Sequence, residues 1–227
     1  MHYSLDFSAP LAYWPDLLAG AWTTLALSLS ATVFGFLLGV FCALTKTGRS
    51  VWLARVAGGY VELIRNTPLL VQIFIVYFGV SSLGLPVGAF TAATIALVIN
   101  VGAYTSEIVR AGIDSIPRGQ LEAAECIALS RWQTLRHVVL PPAIERVYPA
   151  LTSQYVLLML ASSICSQISA EELTAVANRI QSDTFRSVET YLIVAVAYLL
   201  MSLVMRAIFW LVAQLAFPRR RRLGTPL

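Results

Sequence analysis

EAAECIALSRWQTLRHVVLPP, residues 122–142, is a polar and amphipathic interruption in a chain that is otherwise mostly apolar. Of 227 residues, 58% are hydrophobic and only 12% charged, against about 25% charged in soluble domains. On either side of this stretch lie long runs with no charged residue. Residues 17–45 and 66–106 precede it; residues 147–170 and 190–205 follow, the last extending past Arg206 towards Phe217. A membrane span needs about 20 consecutive apolar residues. The run 66–106 is too long for one span, and Gly84-Leu85-Pro86 breaks it. The sequence predicts an all-α integral membrane protein of about five transmembrane helices.

An odd number of spans puts the termini on opposite sides, and Lys/Arg asymmetry sets the direction. Asp6 and Asp16 precede the first span without any Lys or Arg, whereas Lys46, Arg49 and Arg55 follow it. The uncharged Gly84-Leu85-Pro86 turn reads as external. Arg110, Arg118, Arg131 and Arg136 put the central loop inside. Glu171, Glu172 and Asp183 against Arg179 and Arg186 read as outside, and the tail Arg219–Arg222 as inside. The N-terminus is predicted outside and the C-terminus inside. The expected organisation is an external lead (1–16), one transmembrane domain (17–217) with a cytoplasmic loop at 112–141, and a basic cytoplasmic tail (218–227).

Several function classes drop out on composition. The net charge of +4 comes from the tail, and a basic run just inside a final span anchors to anionic headgroups rather than to nucleic acid. The N-terminus lacks the basic region of a cleavable signal. Cys42, Cys126 and Cys165 fall in or beside spans without metal or redox spacing and read as small packing residues. The single lysine, Lys46, is not part of a phosphate-binding loop, so ATP hydrolysis by this chain is not expected. With only His2 and His137, a metal site or a histidine-dependent triad has too few parts. What remains is passage across the membrane, or scaffolding.

Local patterns sharpen this. Gly35 and Gly39 form a G-x-x-x-G pair, suited to internal helix packing or to a dimer seam. Glu62 and Arg65 are placed to pair across one helical turn. Pro68 is expected to kink the second span and free a carbonyl one turn earlier. Asn100, Tyr104 and Glu107 share one helix face, with Asn100 near mid-bilayer, where it either bonds a neighbouring helix or faces a cavity. In the loop, Leu121, Ala124, Ala128, Trp132 and Leu135 make one apolar side at helical spacing.

Residues 122–142 also fit a pattern: E-A-A, three residues, a small residue, nine residues, an aliphatic, any residue, then Leu-Pro. Glu122, Ala123, Ala124, Ala128, Val138, Leu140 and Pro141 fill those positions. The pattern resembles the cytoplasmic loop of ABC importer permeases, in which two short helices and a proline stop surround one turn. Ala128 departs from it, since the family usually has Gly there, and Ala makes a left-handed turn more costly. The runs ELIRNTPLLVQIFIVYFG, with Asn66 where Gly is commoner, and GAYTSEIVRAGIDSIPRGQLEAAE resemble the polar amino-acid permeases of that family. In LMLASSICSQISAEELT, Leu160 and Ala161 stand where those permeases often carry Lys-Asp, while Ser162, Ser163 and Ile164 keep the rest of the motif.

The resemblance implies a permease subunit of an ATP-driven importer of polar amino acids or opine-like solutes in the bacterial inner membrane. It implies an ATPase-coupling loop carried by Gly119, Leu121, Glu122, Ala123, Ala124, Ala128, Trp132, Leu140 and Pro141. It suggests a translocation path near Thr67, Gln72, Asn100, Tyr104, Glu107, Gln154 and Ser162. The implied partners are two ATP-binding cassette subunits, a second permease and a periplasmic solute-binding protein that would meet the external segment formed by 171–174 and 181–189. No cofactor is expected in this chain, since ATP and Mg would bind the ATPase subunits. The missing Lys-Asp pair tilts the permease pairing towards a mixed one. The rival readings are a proton-coupled secondary transporter using Glu107, which leaves the loop without a role, and a non-transporting scaffold, which leaves Asn100 unexplained.

Overall fold

A computed structural model of the protein describes residues 4–48, 50–85 and 87–217. Arg49, Pro86 and the basic tail, all used above to set orientation, lie outside the described residues. Every described regular element is helical. A single turn, α1 (Ser8–Leu11), leads into α2 (Trp14–Lys46), α3 (Val51–Arg65), α4 (Leu69–Ser82) and α5 (Ala89–Asp114). The loop carries α6 (Arg118–Cys126) and α7 (Arg131–Gln133). A π-helical turn (Thr134–Val139) then runs into α8 (Leu140–Ala161), which tightens to 3-10 geometry over Ser162–Ile168. Last come α9 (Leu173–Thr184) and α10 (Ser187–Ala216).

Four helical segments are long and apolar enough to cross a membrane: Trp14–Lys46, Ala89–Asp114, Arg131–Ile168 and Ser187–Ala216. The first begins at Trp14, before the expected boundary, because Pro15 sits in its first turn and Asp16 faces the positive end of the helix dipole. The remaining expected span, the second along the chain, is not one kinked helix: α3 and α4 meet at 109°. Pro68 has no amide hydrogen and biases Thr67 away from helical backbone, so the helix stops at Arg65 and restarts at Leu69. At 1.5 Å per residue α4 is about 21 Å long, too short to cross a hydrocarbon core of about 30 Å by itself.

The core forms around α5, the most buried of the crossing helices, which packs against α2, α3, α4 and α8. Its contact with α2 is the largest, and glycine makes it possible. A Cβ at Gly39 would lie 2.5 Å from Thr105 Cβ, and one at Gly35 would run into Val101. The G-x-x-x-G pair is internal packing between α2 and α5, not a seam between subunits. Leu27, Ala31, Ala96, Leu97 and Val101 fill the same interface at zero exposure.

The polar segment between α8 and α10 is tied into the bundle. Glu172 is fully buried. It caps α9 by accepting from the amides of Thr174 (2.9 Å) and Ala175 (2.8 Å), and it accepts the Tyr198 hydroxyl of α10 at 2.7 Å. Burial pushes its carboxyl above the ordinary carboxylate range, and those donors oppose the rise. Thr24 of α2 accepts the Leu173 amide at 3.1 Å, so α2, α9 and α10 meet at this one cap. The N-terminal lead is held here too, by Asp6 N–H donating to Glu189 at 3.0 Å and by the Arg179–Asp16 pair at 3.0 Å.

Candidate functional site: coupling loop and polar cluster

The loop between α5 and α8 is a small folded unit. Leu121 of α6 and Leu135 of the π turn pack on buried Ile116, Val139 and Ala143. Helix α6 ends in two backbone bonds, Leu129 N to Ala124 O (3.1 Å) and Ala128 N to Glu125 O (2.9 Å). This is the Schellman arrangement, which requires a left-handed residue at the first position past the cap. Ala128 occupies it with φ 56°. The turn that the glycine pattern implies is therefore kept at an alanine, against a steric cost of about 1–2 kcal/mol. Ser130 then starts α7 through a reciprocal capping box with Gln133.

This turn overrides the single apolar side expected across Leu121–Leu135. Leu121, Ala124 and Leu135 turn inwards, but Ala128 is exposed, Trp132 is 64% exposed and Ile127 71% exposed. Glu122, Ala123, Glu125 and Gly119 lie on the same free surface of α6. Cys126, expected as a packing residue, is exposed on it as well, whereas Cys42 and Cys165 are buried. Pro141 and Pro142 lack the amides that would serve the carbonyls of His137 and Val138, and the ladder just before them takes π register. Beyond Leu140, the Arg146 guanidinium donates to the backbone oxygen and hydroxyl of Ser115, the residue that ends α5. A Cβ at Gly112 would likewise strike Val147. The two ends of the loop are thus clamped to each other.

The polar residues expected on a path divide into two groups. Thr67, Gln72 and Asn100 form one cluster at the α3–α4 break. Gln72, 6% exposed, donates to Ile64 O (2.8 Å), Thr67 O (3.0 Å) and Thr67 Oγ1 (2.9 Å), and accepts from Asn100 Nδ2 at 2.9 Å. Ile64 O is the carbonyl that Pro68 frees one turn earlier, so a side-chain amide repairs the broken helix and joins it to α5. Asn100 makes the interhelical hydrogen bond of the two options its position allowed.

Tyr104 and Glu107 lie nearer the loop end of α5. Glu107 is ringed by cations: Lys46 Nζ at 2.5 Å, Arg110 Nη2 at 2.8 Å and Arg65 Nη1 at 4.0 Å. The Arg65 guanidinium lies 5.6 Å from the centre of the Tyr104 ring. Arg65 is therefore directed at Glu107, and the expected Glu62–Arg65 pair does not form; Glu62 accepts from Asn66 Nδ2 at 3.1 Å. A carboxylate in this setting is a counter-ion, which argues against the proton-coupling reading. Gln154 is half-buried and Ser162 fully buried on the α8 segment. Ser162 donates back to Met159 O at 2.7 Å, and neither joins the Gln72–Asn100 cluster by a hydrogen bond. Sequence reasoning gave no role to Tyr60, whose hydroxyl donates to Ile99 O at 2.6 Å, nor to the Arg146 clamp. Their partners are 39 and 31 residues away, and no local spacing signals them.

Bent second span, central α5 and folded loop together describe a multi-helix membrane protein with a structured polar loop. Residues 35–218 match the family described as binding-protein-dependent transport system inner membrane component. The nopaline transport system permease protein NocM of Agrobacterium fabrum is 36% identical over 222 residues, covering 91% of this chain and 92% of NocM. The glutamine transport system permease protein GlnP of Escherichia coli is 36% identical over 203 residues, covering 88% and 92%. A crystal structure of an amino acid ABC transporter with histidines contains a chain that superposes with TM-score 0.86 at 38% identity, covering 93% of this chain and 99% of that one. An inward-facing MetNI methionine ABC transporter shares the fold, with TM-score 0.73 at 21% identity over 88% and 95% of the two chains.

The chain belongs to the binding-protein-dependent transport system inner membrane component family. It is a multi-pass permease of the bacterial inner membrane, the membrane subunit of an ABC importer, and not an enzyme.

Proposed function

We propose that this permease carries polar amino acids or opine-like solutes, with the loop surface of α6 receiving the force of ATP binding from separate ATPase subunits. The observation that carries the coupling role is the exposed face of Glu122, Ala123, Ile127 and Trp132, backed by the Leu121–Ile116–Val139 core. An exposed apolar patch rimmed by acids on a rigid base suits docking in a partner groove. Gly119, Ala124 and Ala128 shape that face, and Leu140 and Pro141 join it to α8. The solute class rests on the nopaline, octopine and glutamine permeases to which the chain is similar.

In this reading the loop end faces the cytoplasm, as the arginines of the central loop imply. Two ATPase subunits bind ATP and Mg, a second permease completes the pathway, and a periplasmic binding protein delivers solute at the α9 end. The Leu160-Ala161 sequence favours a mixed permease pair. Closure of the ATPases pulls α6, and through the Arg146–Ser115 clamp moves α5 and α8 together. Thr67, Gln72, Asn100, Tyr104, Glu107, Gln154 and Ser162 are offered as residues near the path.

Co-purification in mild detergent tests the assembly. The expected result is an ATPase subunit in the eluate of the native chain and its loss in Glu122→Lys, with uptake falling at least tenfold while the variant still inserts. Normal uptake by Glu122→Lys would remove α6 from the coupling role. Uptake that follows a proton gradient after ATP depletion would overturn the whole reading.

A further inference from the structure

Between Glu189 and Ala216, helix α10 carries one charged residue, Arg206. It is exposed on an apolar helix, and among the described residues it has no acidic partner. An ionisable side chain on a membrane span is costly unless something answers its charge. Arg206 lines a groove of about 220 Å³ between α8 and α10, with Tyr148, Thr152, Ser153 and Trp210. The groove is firmly built. The Tyr148 hydroxyl donates to Phe209 O at 2.7 Å, and its ring meets Phe217 edge-on at 5.2 Å. Thr152 is used by Pro149 O at 2.9 Å. The Ser153 hydroxyl and the Trp210 indole N–H make no hydrogen bond among the described residues, so with Arg206 three donors line one groove without an acceptor there.

Depth narrows what the acceptor is. Arg146 is the last charged residue of α8 before its apolar run, and Ser153 lies seven residues further along the helix, about 10 Å at 1.5 Å per residue. Trp210 is of the residue type that settles where headgroups meet acyl chains. Leu199 and Leu203 continue the stripe of Arg206 and Trp210 along α10, and both are more than half exposed. A cation and two neutral donors at the interface, with an apolar track leading deeper, match a phosphate ester joined to acyl chains.

We propose that the α8–α10 groove binds an anionic phospholipid of the loop-side leaflet. Arg206 is the counter-ion of its phosphate, Ser153 and Trp210 donate to it, and one acyl chain follows Leu203 and Leu199. A basic pocket between helices on the cytoplasmic side is a setting in which anionic headgroups are held.

The test is native mass spectrometry of the assembled transporter, released from membranes containing phosphatidylglycerol, in its native form and as Arg206→Gln, Arg206→Lys and Ser153→Ala. Retained phosphatidylglycerol is expected to fall at least fivefold in Arg206→Gln, to fall partially in Ser153→Ala and to persist in Arg206→Lys. Millimolar inorganic phosphate should not displace it. In nanodiscs, phosphatidylglycerol should raise uptake over phosphatidylcholine for the native protein but not for Arg206→Gln. Equal retention in the native protein and Arg206→Gln would overturn the proposal. So would an Arg206→Cys variant that cross-links to the partner permease, which would make the groove a subunit interface. Lipid retention is read without transport, so its failure is separable from failure of the importer reading.

Discussion

Ala128 holds φ 56° at the end of α6, where glycine has no steric penalty. Ala128→Gly should stabilise the loop by about 1 kcal/mol, visible as slower amide exchange at Leu129; unchanged exchange would mean the turn is not strained. Gln72 is the reverse case, a buried residue with every polar contact in use. Gln72→Leu leaves Thr67 O and the Asn100 amide without their partner, at about 1–3 kcal/mol for each buried group left unmet, while Ile64 O keeps its longer contacts with Thr67. A lower unfolding temperature, with easier proteolysis at 65–69, is the expected readout. Glu172→Ala should cost about 1–2 kcal/mol by removing the α9 cap, leaving the Tyr198 hydroxyl its 3.0 Å contact with the Thr174 hydroxyl, and Glu172→Gln should recover part of it. The polar character of Gln72 and Glu172 was legible in the sequence. Their partners were not, because a side chain's hydrogen bond is fixed by which distant backbone the fold brings to it.

Among elements, α2 and α5 set how closely the bundle can pack. Gly39→Leu should force them apart, since even a Cβ would lie 2.5 Å from Thr105 Cβ; overpacking of this kind costs about 1–3 kcal/mol. Reduced yield of folded protein in detergent checks this, and a native-like yield would place Gly39 off the interface. The α3–α4 break shows where local reading ends. Pro68 announces an interruption, but the chain alone does not say whether a helix kinks or turns by 109°. In the folded chain Gln72 clasps the broken end and bonds to α5. The loop shows the same limit: the spacing of Leu121, Ala124 and Leu135 marks the inward side, while the Schellman turn sends Trp132 and Ile127 out to the surface.

For the whole molecule, the exposed thiol of Cys126 reports on assembly without any substitution. A maleimide should label it rapidly in the isolated permease and at least tenfold more slowly once an ATPase subunit covers α6; Cys42 and Cys165 are buried and should stay silent. Equal labelling in both states would place the partner elsewhere. The sequence by itself determined that this chain is helical, that it crosses a membrane several times and that its polar loop falls between the third and fourth spans. Those properties follow from hydrophobic length and charge, which add up along the chain. Only the tertiary structure decided that Glu107 is a counter-ion to Lys46, that Glu172 is a buried cap, that the glycine pair is internal packing and that Arg206 is exposed on α10 without an acidic partner among the described residues. Lys46 and Glu107 are 61 residues apart, and Thr24 and Leu173 149 apart. Whether a charge on a span is answered depends on such distant neighbours, and only folding brings them together.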